Sequence, residues 1–356
     1  MSGSDRHALV VGVTGISGNN VARRLAGNGW RVTGVSRRAA EVPEGVAHVA
    51  ADITDAEATR AALADTRPTH LFFCTWSRQA DEAGNIRVNG AMLRNVLEAV
   101  GGSLQHAALV TGLKHYLGPF EAYAQTKPDT PFVEEQPRLP YENFYYEQED
   151  ILFEAAEREG FTWSVHRPHT MIGWALGNAM NMGVTLAVYG SICKQTGRPF
   201  VFPGTPEQYE GVTDITDARL LAAQLEWAAT TPAAADEAFN IVNGDVFRWK
   251  RMWRVVAEGL GLEAAPYPGA PTPLEEQMRD AGPLWETMVE RYGLRSYRVE
   301  QLASWWHTDA DLGRTLETFT SMGKSRRFGF LSYQDSAASF LDVFDALRRE
   351  RIIPSA

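Results

Sequence analysis

The feature that most constrains this chain is a run of three glycines set three apart, Gly12-Val13-Thr14-Gly15-Ile16-Ser17-Gly18, placed between an apolar stretch and a helix-like one. Ala8 to Val13 reads as a short buried strand, and Asn19 to Asn28 reads as a helix with Val21 and Leu25 on one face. Glycines at such a junction let the backbone turn tightly and approach a pyrophosphate, which the positive end of the following helix then holds. A glycine-rich turn alone is a weak signal, but strand before and helix after supply the context that a dinucleotide loop needs.

The sequence that follows keeps alternating. Arg31 to Ser36, Val46 to Ala50, His70 to Cys74 and Ala107 to Thr111 read as strands, while Asp55 to Ala64 and Asn85 to Val100 read as helices. Beyond a loop rich in Pro, Asp and Glu, a helix is expected over Asn143 to Arg158, a strand over Thr162 to Arg167 stopped by Pro168, and a late strand over Phe239 to Val242. Strands alternating with helices predict an α/β, Rossmann-type doubly wound parallel sheet. The chain of 356 residues exceeds one minimal domain. We expect a dinucleotide-binding core over 1–170, completed by part of 205–250. A smaller, mainly helical C-terminal lobe over 171–204 and 251–356 is expected to cover the substrate. Ala265 to Pro273 reads as a linker, and Trp285, Trp305 and Trp306 as material for the lobe's core.

Composition narrows the function. A formal charge of −10 opposes nucleic acid, since a phosphate-binding surface needs a basic excess. Two cysteines, Cys74 and Cys193, make neither a disulfide framework nor a zinc set, so no metal is expected and a reducing compartment is. No apolar run approaches the roughly 18 residues of a membrane span. The short Met1–Ser4 lead-in predicts no signal peptide, and the expected setting is the cytoplasm.

The second strand ends in Ser36-Arg37-Arg38. NAD-binding folds usually place a carboxylate here for the ribose hydroxyls. Two guanidiniums suit the 2′-phosphate of NADPH instead. Asp52-Ile53, after the third strand, stands where such folds bracket the adenine. Asp52 also reads as a candidate helix N-cap.

Short-chain dehydrogenases, whose extended members carry this glycine spacing, pair a tyrosine with a lysine four residues later on one helix. Here the corresponding helix opens Asn143-Phe144-Tyr145-Tyr146, and Glu149 stands four residues after Tyr145. The candidate replacement is Lys114, in Thr111-Gly112-Leu113-Lys114-His115-Tyr116-Leu117-Gly118-Pro119-Phe120-Glu121, which follows the fifth strand. Tyr145 and Tyr146 lie about 100° apart on a helix, and periodicity does not choose between them.

With these two segments, the glycine loop and Ser36-Arg37-Arg38, the chain resembles the progesterone 5β-reductase and iridoid synthase family of enone reductases, atypical extended short-chain dehydrogenases/reductases. The resemblance extends through Cys74-Thr75-Trp76, Asn143 to Asp150, Trp163 to Pro168, Gly197 to Gly204, Phe239 to Lys250 and Ser321 to Phe330. It implies NADPH-dependent reduction of an activated C=C bond in an enone or enal, with Tyr145 and Lys114 as the catalytic pair. It places Gly12, Thr14, Gly15, Ile16, Gly18, Ser36, Arg37, Arg38, Asp52, Ile53, Thr75 and Val110 around the cofactor. Met171 would pass the nicotinamide, and Asn178, Ala179 and Met180 the phosphates. Phe120 and Trp76 would face the substrate. His169 departs from the small residue the family carries after Pro168. Tyr146, His115 and Tyr116 are then expected to be structural, and Glu134-Glu135 a solvated loop. A carbonyl reductase or sugar-nucleotide epimerase on the same fold remains an alternative, as does a non-catalytic NADP-sensing protein. A homodimer stays open.

Overall fold

The structure, a computed structural model, describes residues 6–38, 42–118, 128–177 and 180–355. In the first half, strands β1 (His7–Val11), β2 (Arg31–Ser36), β3 (Val46–Ala50), β4 (His70–Phe73) and β5 (His106–Val110) alternate with helices α1 (Ile16–Gly27), α2 (Ala56–Leu63) and α3 (Glu82–Val100). A short helix α4 (Lys114–Leu117), helix α5 (Phe144–Glu159) and strand β6 (Thr162–Pro168) follow. After β7 (Met171–Ile172) come α6 (Met182–Thr196), α7 (Pro206–Glu210), β8 (Thr216–Asp217), α8 (Ala218–Thr230) and β9 (Glu237–Ile241). The remainder is helical: α9 (Trp249–Gly259), α10 (Leu274–Gln277), α11 (Ala281–Tyr292), α12 (Val299–Leu302), α13 (Trp305–Leu312), α14 (Gly323–Arg327) and α15 (Ser336–Arg349).

Seven strands form one parallel sheet in the order β3-β2-β1-β4-β5-β6-β9. Strand order reverses between β1 and β4, and in such sheets the crevice at the carboxyl ends of the strands beside that reversal receives ligands. Both faces are covered. Leu9, Val11, Leu71, Phe73 and Val165 meet α3 and α5 on one side. Ala8, Val10, Val32 and Phe72 meet α1 and α8 on the other. This is why β1 reads as a continuous apolar run rather than an alternating one.

A further hydrophobic core, apart from the two that flank the sheet, is centred on the fully buried Trp253, Trp285, Tyr189, Phe200 and Phe202. Phe200 stacks on Trp253 at 4.3 Å between ring centroids. The linker stretch lacks regular structure but is docked, with Ala265 N donating to Phe200 O and Thr272 N to Pro203 O.

Four local expectations shift. Helix α1 begins at Ile16, directly on the glycine loop, and α3 begins at Glu82 because the Asp81 carboxylate accepts from Gly84 N at 2.7 Å. The cap of α2 is Asp55, which accepts from Ala58 N at 2.9 Å, while Asp52 accepts from Thr54 N and Oγ1 instead. Glu134 is not solvated: it accepts from Asn240 N at 2.8 Å, and burial raises its carboxyl, while Glu135 is exposed. Among the described residues no helix is long and apolar enough to cross a membrane. Among the same residues no three His, Cys, Asp or Glu side chains are grouped to hold a metal ion.

Candidate active site

A cleft of about 590 Å³ opens along the carboxyl ends of β1, β2, β4, β5 and β6. Its floor is the glycine loop. Gly12 has φ +85°, and a Cβ there would lie 2.9 Å from Cys74 O and 2.7 Å from Thr75 Cβ. A Cβ at Gly18 would lie 2.2 Å from Gly12 O, so only glycine lets α1 start against the loop. Gly15 N donates to Gly12 O at 2.9 Å, closing the turn with the N-terminus of α1 at the cleft.

Most of the expected cofactor residues meet here. Thr14, Gly15 and Ile16 line the floor beside Gly12; Ser36, Arg37, Asp52 and Ile53 line one end; Thr75, Val110, Met171 and Met180 line the middle and far side. Hydrogen bonds from Thr54, with Arg37 nearby, hold the Asp52 carboxyl below its usual range. Met171 is fixed by Ser17, whose Oγ lies 3.1 Å from its Sδ. Two expected residues stand off the wall: Gly18 packs behind the loop, and Arg38 is exposed beyond Arg37, its carbonyl accepting from Ser36 Oγ. Phe120, Asn178 and Ala179 lie outside the described residues.

The other end holds Tyr145 and Lys114. Asn143 caps α5 through Tyr145 N, at 3.0 Å from its Oδ1, and its amide donates to Lys114 O at 2.8 Å. Lys114 Nζ lies 3.8 Å from Glu82 Oε2 and is only 7% exposed. It stands 5.0 Å from the Phe144 ring centroid and 5.8 Å from that of Trp76, which stack on each other. Gly112 lies beside the tyrosine: a Cβ there would be in ordinary contact, 3.4 Å, with both Tyr145 Oη and Pro168 O. Tyr146 turns away: its hydroxyl donates to His115 O at 2.6 Å and accepts from Leu139 N at 3.0 Å.

Two groupings escaped the sequence. The first surrounds Glu149, which is 2% exposed, with Arg138 at 2.8 Å, Arg167 at 3.3 Å and His115 at 3.7 Å. Burial alone would raise this carboxyl, but the contact with His115 and the charges of Arg167 and Arg138 hold it at about 2. Position 149 is thus an ionic clamp joining α4, α5 and β6, where a dehydrogenase would keep its lysine. The second is a polar wall made by His169, Thr170, Asp311 and Arg314, with His307 beside them on α13. Its one sequence signal was His169 after Pro168. Trp306, on the same helix, lies under the Arg78 guanidinium at 4.0 Å, so the loop after β4 touches α13.

Residues 46–354 match the family described as the PRISE-like Rossmann-fold domain. The chain is 42% identical to an (S)-8-oxocitronellyl enol synthase of Camptotheca acuminata and 41% identical to a 3-oxo-Δ(4,5)-steroid 5β-reductase of Arabidopsis thaliana, each match covering 98% of this chain and 93% of the relative. Among solved structures it is similar to the UDP-glucose 4-epimerase of Thermotoga maritima, with a TM-score of 0.69 at 15% identity over 97% of this chain and 99% of that one. At that identity the likeness shows a shared fold. The family match and the two full-length relatives go further: this chain belongs to the PRISE-like Rossmann-fold family.

Proposed function

We propose that the protein reduces the activated carbon–carbon double bond of enones and enals by 1,4-addition, using NADPH. The observation that carries this reading is that Tyr145 and Lys114, from two different elements, line one cleft and are tied through Asn143, while Glu149 holds arginines at the place of the usual lysine. The names of the two relatives, an enol synthase and a steroid 5β-reductase, support the same class.

The residues present fit a phosphorylated dinucleotide. The loop has no room for a side chain at Gly12 or Gly18, which leaves bare backbone at the helix N-terminus for a pyrophosphate, and Arg37 brings a guanidinium to the adenosine end. Asp52, Thr75, Val110, Met171 and Met180 would hold the rest of the molecule. Bound there, NADPH supplies a hydride to the substrate's β-carbon.

The protein's part is electrostatic. Addition at the β-carbon moves an electron pair through the conjugated system onto the carbonyl oxygen, and Tyr145 Oη is the donor aimed at that oxygen. A hydroxyl already in place stabilises charge that exists mainly in the transition state, which raises kcat. The Lys114 ammonium, enclosed by Trp76 and Phe144, adds positive potential where exclusion of water strengthens it. An enolate is less basic than the alkoxide an alcohol dehydrogenase must protonate, so a hydrogen bond suffices and the tyrosine–lysine relay along one helix is dispensable. A solvent proton then completes the saturated ketone at the α-carbon. The lobe over 171–204 and 251–356 covers the substrate in this reading, and the free thiols Cys74 and Cys193 suit the cytoplasm.

Product analysis with C4-deuterated NADPH and cyclohex-2-enone tests the reading. Deuterium at the β-carbon of cyclohexanone is expected. Deuterium on the carbinol carbon of an allylic alcohol would transfer the case to a carbonyl reductase. Tight NADPH binding without turnover would make the protein a cofactor sensor.

A further inference from the structure

One wall of the cleft takes no part in this chemistry. His169 and Thr170 follow Pro168, whose carbonyl shares the neighbourhood of Gly112 with Tyr145 Oη, so the wall belongs to the catalytic end and not to the adenosine end at Arg37. Arg314 is its centre. Its Nη2 donates to Asp311 Oδ1 at 2.5 Å and to Thr170 Oγ1 at 3.2 Å, and its Nη1 donates to His169 Nε2 at 2.6 Å. A guanidinium cannot accept, so His169 Nε2 is an acceptor and its Nδ1 carries the proton donated to Asp214 Oδ1 at 2.7 Å. Two carboxyl groups therefore face one permanent cation. Even with Asp214 neutral, the wall carries no net positive charge. Thr170 and Arg314 are the donors to Asp311, and a carboxylate offers about four acceptor positions. Asp311 is 20% exposed and lines the cleft, with His307 one helical turn before it.

We propose that this wall selects neutral enones bearing a hydroxyl group, with Asp311 accepting the hydrogen bond from that hydroxyl. The inference rests on the enone reading and deepens it. A purely hydrocarbon enone would strip water from Asp311 and return nothing, which is the situation in which polar sites discriminate most strongly. A ring carboxylate would meet Asp311 across a wall whose only cation is already paired.

The test measures kcat/KM of the full-length protein with NADPH for cyclohex-2-enone, for its 4-, 5- and 6-hydroxy derivatives, and for a cyclohex-2-enone carboxylate. At least one hydroxylated ring is expected to exceed the parent by about tenfold, the gain of one hydrogen bond to a charged group, and the carboxylate to fall below the parent. Asp311→Asn keeps the side chain's shape and removes its charge, and should reduce the hydroxyl-to-parent ratio by about tenfold. Its melting temperature shows whether it is folded, and the wild-type panel decides the matter alone if it is not. No advantage for any hydroxylated ring, or a ratio unchanged in folded Asp311→Asn, overturns the inference and leaves enone reduction standing. Failure to reduce any of the enones overturns both.

Discussion

The side chain of Asn143 donates to the main-chain carbonyl of Lys114 at 2.8 Å, and its other atom caps the nitrogen of Tyr145 at 3.0 Å. One buried amide thereby sets the distance between the two residues proposed to act on substrate. Asn143→Ser would keep an acceptor for the cap but lose the reach to Lys114. We expect kcat to fall markedly and the melting temperature only modestly, because serine still caps the helix while one buried hydrogen bond of about 1 kcal/mol is lost. Steady-state kinetics beside a thermal melt separates the two effects. A variant with unaltered kcat would show that Tyr146, through its bond to His115 O, holds α4 unaided.

The two arginines after β2 should not behave alike. Arg37 lines the cleft and Arg38 does not. Charge-assisted hydrogen bonds to a phosphate are worth roughly 1.5–3 kcal/mol, so Arg37→Ala should raise KM for NADPH about tenfold or more relative to NADH. Arg38→Ala should change the NADPH-to-NADH ratio much less. Equal ratios in both variants would place the 2′-phosphate elsewhere.

Acid should unfold this protein early. His70, His106 and His166 are buried in neighbouring strands of the sheet, and burial lowers them to about 4, about 3 and about 4, with neighbouring imidazoles adding to the effect at His106. Between pH 6.5 and about 4 the unfolded chain binds protons that the folded one refuses, so stability falls as pH falls, by about 1.4 kcal/mol per histidine per pH unit. Glu149 acts at the lower end: its depressed value gives stability that is complete above the ordinary carboxylate range and is lost as pH drops toward about 2. Urea denaturation midpoints measured from pH 7 to 4 should decline steadily. A flat profile down to pH 5 would contradict the neutral-histidine assignment.

What the sequence displayed was local. Strands β2 and β3 have the boundaries that their residue patterns predict, because alternation and burial write themselves into five or six consecutive residues. The glycine loop was equally legible, since the backbone demands glycine there whatever else the chain does. Adjacent residues that share a type were not. Arg37 and Arg38 look equivalent in the sequence and both are exposed, yet only Arg37 lines the cleft. Asp52 reads as a cap, yet the turn geometry gives that role to Asp55. Long-range ion pairs were invisible: Arg138 and Arg167 reach Glu149 across 11 and 18 residues, and Arg314 reaches His169 across 145. No periodicity records partners that meet only after the sheet has closed.

The adjacent tyrosines offer the sharpest test of the proposed mechanism. Tyr145 lines the cleft and Tyr146 is tied to His115 O and Leu139 N. Removing a donor aimed at developing negative charge costs about 2.7–4 kcal/mol of barrier, or roughly a hundredfold to a thousandfold in kcat. Tyr145→Phe should lose that much on cyclohex-2-enone while binding NADPH as before. Lys114→Met keeps the stem and removes the ammonium, so kcat should again fall with NADPH binding largely kept; a change within about twofold, only ~0.4 kcal/mol of barrier, would reduce Lys114 to a packing residue. Tyr146→Phe removes two hydrogen bonds of about 1 kcal/mol each, one holding α4 at His115 and one holding the backbone at Leu139. It should lower the melting temperature and change kcat far less than Tyr145→Phe does. NADPH titration, kcat and melting temperature measured on all three variants give each residue a distinct signature. If Tyr146→Phe proved the slower enzyme, the chemistry would have to be redrawn around the other face of α5.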